Sequence, residues 1–313
     1  MSQAIGGQAV LEGVMMRGPR NWAVAVRTPT GGIAHVARTI DPLAARHWSL
    51  RLPIVRGVVA LGESLAIGFR ALGVSARYAA QEEAEGYDEP AEIGRWALAF
   101  AFLVAIGFAV MMFKVGPALL ADLLPISNGD WFVLVEGLIR VAVFVAYLAL
   151  LSFIPSLRRV FEYHAAEHKA INAYEAGEDL TPEIAQRYSL IHPRCGTAFL
   201  LWVMVIGVFI YALLGRPVWY WLIISRIALL PVIAGVAYEL IRFAGKHSGN
   251  RVVMTLLAPG LWLQRLTTRE PTLDQLEVSI RALREVLAHE GRLQPADRRV
   301  EVMAGWRPSA EPR

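Results

Sequence analysis

Residues 197–214 read TAFLLWVMVIGVFIYALL, eighteen consecutive positions without a charged side chain. Wound as an α-helix, such a stretch is about 27 Å long, close to the roughly 30 Å hydrocarbon core of a bilayer. Three other segments share its length and character: Trp96 to Leu124, Trp131 to Ile154, and Val218 to Ile241. Four transmembrane helices are therefore expected. The composition agrees, since 55% of the 313 residues are hydrophobic, 19% are charged, and the mean hydropathy is +0.42. A soluble domain of that make-up would leave too much apolar surface in water.

Orientation follows from where Lys and Arg fall in the short connections. The connection between the first two spans has Lys114 at a helix end, and that between the last two has Arg216. The loop from Pro155 to Gly196 carries Arg158, Arg159, Lys169, Arg187 and Arg194, and the segment after the fourth span carries Arg242, Lys246, Arg251, Arg265 and Arg269. That asymmetry places both termini and the 155–196 loop in the cytoplasm. No signal peptide is evident, so the first span is expected to direct insertion. The single cysteine excludes an intrachain disulfide and suits a reducing compartment. A net charge of +4 and a pI near 9.4 raise the question of nucleic acid. The cations, however, sit beside the spans, where positive-inside topology and anionic membrane lipids account for them, and no nucleic-acid partner is expected.

The organisation reads as mainly α. A glycine-rich cytosolic β unit occupies residues 1–50, with strands expected at Trp22 to Arg27, Ile33 to Thr39 and around Ala9 to Met15. Residues 51–92 hold an apolar helix and an acidic linker. Arg56, Glu63, Arg70 and Arg77 recur at seven-residue spacing and draw a charged stripe down that helix, which favours the membrane interface, or packing against another cytosolic element, over a fifth span. The first two spans lie within 93–154, a cytosolic loop follows over 155–196, and the other two spans lie within 197–242. Residues 243–290 combine an interfacial segment, Val252 to Leu266, broken at Pro259-Gly260, with a helix opened by a capping-box pattern at Thr272 to Gln275. A disordered tail is expected over 291–313. There is no P-loop, and Gly6-Gly7 does not complete a dinucleotide fingerprint.

The 155–196 loop holds the chemistry. His164-Ala165-Ala166-Glu167-His168 is expected in a helix from about Arg158 to Ala176, with a shorter one over about 182–190. Histidines four residues apart share a helical face and can grip one cation, with Glu167 close by. H-x-x-E-H is also the inverted zincin motif, whose glutamate acts as general base. The plainer reading is an amphipathic helix that happens to carry two histidines. Two features count against that. Glu175 lies two turns beyond His168, placed to be a third ligand, and His192 with Cys195 follows before the third span. Zinc suits two histidines with cysteine or carboxylate. An open site would let zinc lower the pKa of bound water to about 7 for Glu167 to deprotonate, whereas His164, His168, His192 and Cys195 together would close a structural site. Cys195 has a further reading as a thiolate nucleophile at a helix N-terminus.

Within the spans, Glu136 and Arg140 are four residues apart on the second helix, and Arg226 sits at similar depth on the fourth. Intramembrane charges suggest an ion path or a lipid-headgroup contact, or else an ion pair that fixes packing. Glu12 and Arg17, between glycines, are candidates for a loop that folds against the metal site.

Several motifs resemble the YqhQ family, a group of bacterial inner-membrane proteins of uncharacterised function. They are Gly6-Gly7-Gln8-Ala9-Val10 with Glu12-Gly13-Val14-Met15-Met16-Arg17-Gly18-Pro19, Glu162-Tyr163-His164 with Glu167-His168-Lys169, His192-Pro193-Arg194-Cys195-Gly196-Thr197, and the run from Pro259 to Pro271. The resemblance covers nearly the whole chain apart from the tail. Because members are sometimes labelled predicted metal-dependent enzymes, it implies an inner-membrane location and a metal without supplying a substrate. Two functions are thus expected to compete. One is a zinc-dependent hydrolase acting at the cytosolic face on a membrane-bound protein segment or lipid headgroup. The other is a transporter, channel subunit or assembly scaffold with a structural metal. Homo-oligomerisation is compatible with either.

Overall fold

The computed structural model describes residues 5–84, 95–126, 129–214 and 219–292. The expected tail, from residue 293 on, and the acidic linker beyond Ala84 lie outside them. Strands β1 (Gly6–Val10), β2 (Gly13–Arg17), β3 (Asn21–Arg27) and β4 (Ile33–Thr39) form an antiparallel sheet in sequential order. The strand expected over Ala9 to Met15 is two strands. Leu11 and Glu12 turn between them, Glu12 takes a positive φ of 51°, and Val10 pairs with Gly13. The helices that follow are α1 (Leu43–Arg46), α2 (Val55–Ala84), α3 (Arg95–Val110), α4 (Gly116–Asp122), α5 (Gly129–Leu151) and α6 (Pro155–Glu175). After these come α7 (Pro182–Ala185), α8 (Gly196–Leu214), α9 (Trp219–Lys246), α10 (Arg251–Thr267) and α11 (Leu273–His289). A π-helical stretch, Met111–Val115, joins α3 to α4, so the expected first span is continuous but locally underwound.

Both faces of the sheet are covered. Val14, Met16, Ala23 and Ala25 pack with Tyr163, Ala166, Ala170 and Ile171 of α6 and with Leu276, Leu283, Val286 and Leu287 of α11. The opposite face, Val10, Met15, Trp22, Val24 and Val26, packs on Ile67 and Ala71 of α2. Strands β2 and β3 are therefore apolar at nearly every position rather than alternating, as a doubly covered sheet requires. Thr272 accepts from the Gln275 N–H and Gln275 returns a bond to the Thr272 N–H, so α11 opens with the expected capping box.

Among the described residues, five helical stretches are long and apolar enough to cross a membrane: Val55–Tyr78, Leu103–Asp122, Trp131–Leu151, Gly196–Leu214 and Ala228–Lys246. The first is the helix whose charged stripe set it apart from the four expected spans. The others pack as a bundle through Phe144, Leu148 and Leu201 at one level and Val133, Tyr211 and Ile233 at another. Phe100, Leu103, Phe108, Leu138, Phe209 and Leu213 face outward, as side chains in contact with lipid would.

Two further expectations are corrected. The helix expected over 182–190 is a single turn, Pro182–Ala185, and the chain from Ser189 onward is instead spent on contacts with α6. Pro259-Gly260 does not break α10 either. Proline removes one N–H bond, but ending the helix there would forfeit the burial of Leu257 against α9 and of Leu263 against α5 and α8.

Helices α5 and α8 touch at Gly137, where a Cβ would stand 2.3 Å from Val208 Cγ2. Small residues permit such backbone approach between helices in lipid. Gly137→Val is expected to destabilise the bundle by roughly 1–3 kcal/mol, the usual cost of overpacking, and a thermal melt of the detergent-solubilised protein that leaves the midpoint unchanged would contradict this close contact.

Candidate metal centre

Helix α6 starts at Pro155 directly after α5, with proline at its first position, and its middle is buried on every side. Alanines 165, 166, 170 and 173 keep it slim enough to lie between the sheet, α11 and the 189–195 segment, and Ser279 Oγ donates to the Ala166 carbonyl at 3.0 Å. On the face turned toward α10 and Cys195, His164 and His168 stand with ring centroids 4.5 Å apart.

Each ring has one nitrogen tied to the main chain. His164 Nδ1 lies 2.8 Å from the Thr267 carbonyl and His168 Nδ1 2.5 Å from the Leu190 carbonyl. A carbonyl only accepts, so both Nδ1 atoms are donors and both Nε2 atoms keep their lone pairs in the neutral rings. This is the outer-shell arrangement that orients histidine for metal binding. Cys195, at the mouth of α8, brings Sγ to 3.3 Å from His164 Nε2 and 3.1 Å from Thr197 Oγ1. His164, His168 and Cys195 offer ligand atoms within 4.8 Å of one another, a spread that a single tetrahedral cation can bridge.

The metal-free electrostatics fit the same donor set. Burial works against an imidazolium at His164, yet the Cys195 thiolate and Glu167 hold its pKa up to about 9. Burial likewise opposes a thiolate at Cys195, but His164 and His168 keep that thiol well below its ordinary value. The pair is thus a thiolate–imidazolium in which His164 carries the proton a metal would displace. Glu167 is buried beside them, and burial raises its pKa despite the pull of both histidines. The Gly7 N–H of β1 bonds to it, and a Cβ at Gly7 would stand 2.8 Å from the Glu167 carboxyl carbon. The N-terminal strand therefore closes one side of the cluster.

The other sequence candidates form a surrounding layer. His192 is buried with its ring 5.8 Å from that of His168, and its Nε2 lies 3.5 Å from Glu175 Oε2. Glu175 also pairs with Arg194. Burial opposes the charge on Glu175, but His192 and Arg194 bring its pKa down to about 2. The structure thus gives Glu175 and His192 to each other rather than to the three-atom cluster. Glu12 pairs with Arg159 and receives a 3.4 Å bond from the Tyr163 hydroxyl, one residue from His164. Arg17 points away, bonding Glu63 and Ser64 of α2 at 2.5 Å each. Glu136 and Arg140 form a buried ion pair within α5, far along the chain from this cluster, and the side chain of Arg226 lies outside the described residues.

Three supports had gone unremarked in the sequence. Gln264, fully buried, accepts from the His192 N–H at 3.0 Å and donates to the His192 carbonyl at 2.9 Å. Lys169, buried behind His168, bonds the Gln186 carbonyl at 2.6 Å and Glu270 at 2.8 Å. Gly7 is the third. Gln264, Lys169 and Gly7 all lie in the motifs that carry the family resemblance, which was the available signal.

A helical protein with apolar, membrane-length helices, a two-sided α/β layer and a buried His–His–Cys cluster is the class these features define. The chain belongs to the family described as a protein of unknown function, DUF1385, which it matches over residues 52–289. It is similar to the uncharacterized protein YqhQ of Bacillus subtilis (strain 168), with 35% identity over 297 residues that cover 92% of this chain and 93% of the relative. No solved structure matches.

Two outcomes test the cluster. Protein purified without chelator is expected to carry about one zinc per chain, lost in the His164→Ala/His168→Ala variant, as elemental mass spectrometry would report; equal metal in both would remove these ligands. Because zinc displaces the His164 proton, apparent affinity should rise with pH toward about 9 and then level off. Zinc titrations from pH 6 to about 9.5 would show this rise, and an affinity flat across that range would contradict it.

Proposed function

We propose that this protein is a membrane-embedded, zinc-dependent hydrolase of the bacterial inner membrane, acting at the cytoplasmic face on a membrane-bound substrate. The single observation that carries the reading is the convergence of His164 Nε2, His168 Nε2 and Cys195 Sγ beside a buried carboxyl, Glu167. Three protein ligands leave a fourth position for water. Zinc bound there supplies a Lewis acid and lowers the pKa of water. Glu167 would take the proton from the attacking water, and burial, which raises its pKa, makes it a stronger base than an exposed carboxylate. Gly7 holds that carboxyl in place, and the two carbonyls hold the rings.

Four spans and cytoplasmic termini are part of the reading. On α2, Ile67 and Ala71 rest on the sheet while Leu65, Phe69 and Leu72 are exposed on the opposite side. That division supports a helix lying along the membrane surface under the sheet rather than a fifth span. The cations flanking α6, α9 and α10 favour the cytoplasmic side for the cluster.

A second reading, a transporter or scaffold with a structural metal, is favoured by the buried Glu136–Arg140 pair of α5. Paired substitutions separate the two. In liposome-reconstituted protein assayed against lipid and peptide hydrolysis panels, Glu167→Gln should keep its zinc and lose about 100-fold or more of turnover, the usual range for a general base, while Glu136→Gln should keep most of it. Turnover that survives Glu167→Gln would sink the hydrolase reading.

A further inference from the structure

Next to the cluster lies a cavity of about 490 Å³ lined by Ser189, Leu190, Ile191, Arg265, Thr268, Arg269 and Glu270. Two arginines share its wall. Arg269 donates to the carbonyls of Arg265 and Thr268 at 3.1 Å each, and among the described residues neither guanidinium has a carboxylate partner. Glu270, the one acid in the wall, is taken up by Lys169 and Gln186. The lining thus offers a net positive charge with uncommitted N–H donors, together with the Ser189 hydroxyl, which accepts from the Ile191 N–H and keeps its own hydrogen to donate. Arginine forks are suited to phosphate oxygens.

The position of the cavity indicates what carries the phosphate. Leu266 and Leu151, the latter in the last turn of α5, pack against one apolar cluster, which sets Arg265, the neighbour of Leu266, near the level where that apolar helix ends. Val252, Leu256 and Trp262 are exposed on α10, and Trp262 precedes Arg265 by one helical turn. An apolar face with tryptophan followed at once by arginines is the order in which acyl chain, interface and headgroup follow one another in a leaflet.

We propose that this cavity binds a phosphate group carried by an anionic phospholipid, with Arg265 and Arg269 as its cations. The lipid source rests on the membrane-surface reading above, while the phosphate chemistry rests on the cavity itself. Leu190, whose carbonyl holds His168, and Thr268, next to the Thr267 that holds His164, are both walls of the cavity. The bound headgroup therefore rests on the segments that orient the metal ligands. It is the substrate, or a lipid that braces the site.

The test is binding to the full chain in detergent, followed by native mass spectrometry with phosphatidylglycerol, with phosphatidylcholine of the same acyl chains, and with inorganic phosphate. One phosphatidylglycerol per chain is expected, bound about tenfold more tightly than phosphatidylcholine and about tenfold more weakly in Arg265→Gln. Among the described residues Arg265 makes no side-chain hydrogen bond or ion pair, so that variant should melt like wild type, and Arg265→Lys should recover part of the binding. Inorganic phosphate binding as tightly as phosphatidylglycerol, with the same dependence on Arg265, would reassign the site to a soluble phosphate and overturn the lipid. Lipid binding indifferent to Arg265 would overturn the site. The same lipid titration on His164→Ala/His168→Ala keeps the two proposals apart: binding that persists there stands even if the hydrolase reading fails.

Discussion

Two hydrogen bonds, from the imidazoles of His164 and His168 to the main-chain carbonyls of Thr267 and Leu190, set the terms for everything around α6. Each ring is buried or nearly so, and a buried polar ring must find partners for its nitrogens. Once Nδ1 is committed to a carbonyl, Nε2 can only turn inward, toward Cys195. The bonds also reach far along the sequence, from α6 to the end of α10 and to the approach to α8. A pair of side chains four residues apart thereby fastens together three segments that meet where the apolar helices end.

A second shell keeps those carbonyls where they are needed. Gln264 bonds both main-chain groups of His192 and so ties α10 to the approach to α8 by imitating a strand partner. Asn172 holds the carbonyls of Ser189 and Ile191, on either side of the one that receives His168. Lys169 does the same for Gln186. Gln264 and Lys169 are buried, and there loss of one partner leaves the other unsatisfied at a cost of about 1–3 kcal/mol. The supports of the cluster are thus themselves bonded to neighbouring segments, and a ligand set preformed in this way would not first have to be ordered to take a cation.

Much of this was legible in the residues. The apolar runs, the His164–His168 spacing, the α11 capping box and the α6 helix follow from periodicity and cap chemistry, and the structure has them within a few residues. What escaped did so for physical reasons. The turn at Leu11-Glu12 contains no glycine or proline, and Glu12 holds its positive φ among long-range partners in Arg159 and Tyr163. Pro259 looked like a breaker because the burial that outweighs it is supplied by helices distant in sequence. Carbonyl partners such as those of Thr267 and Leu190 have no letter of their own. Glu175 had the right helical phase for a ligand, but Arg194, a cation nineteen residues on, competes for it through a contact that no local pattern encodes.

The way the sheet is covered has a consequence for the order in which the molecule is made. Strands β1 to β4 leave the ribosome first, yet one of their faces is sealed by α6 and α11, and α11 is the last helix of the described chain. Until α11 has been synthesised, Leu276, Leu283, Val286 and Leu287 are missing from that side, and only α6 is there to cover Val14, Met16, Ala23 and Ala25. An unsealed apolar sheet invites the wrong partners. A chain cut short before α11 would be left with one face of its sheet only half covered.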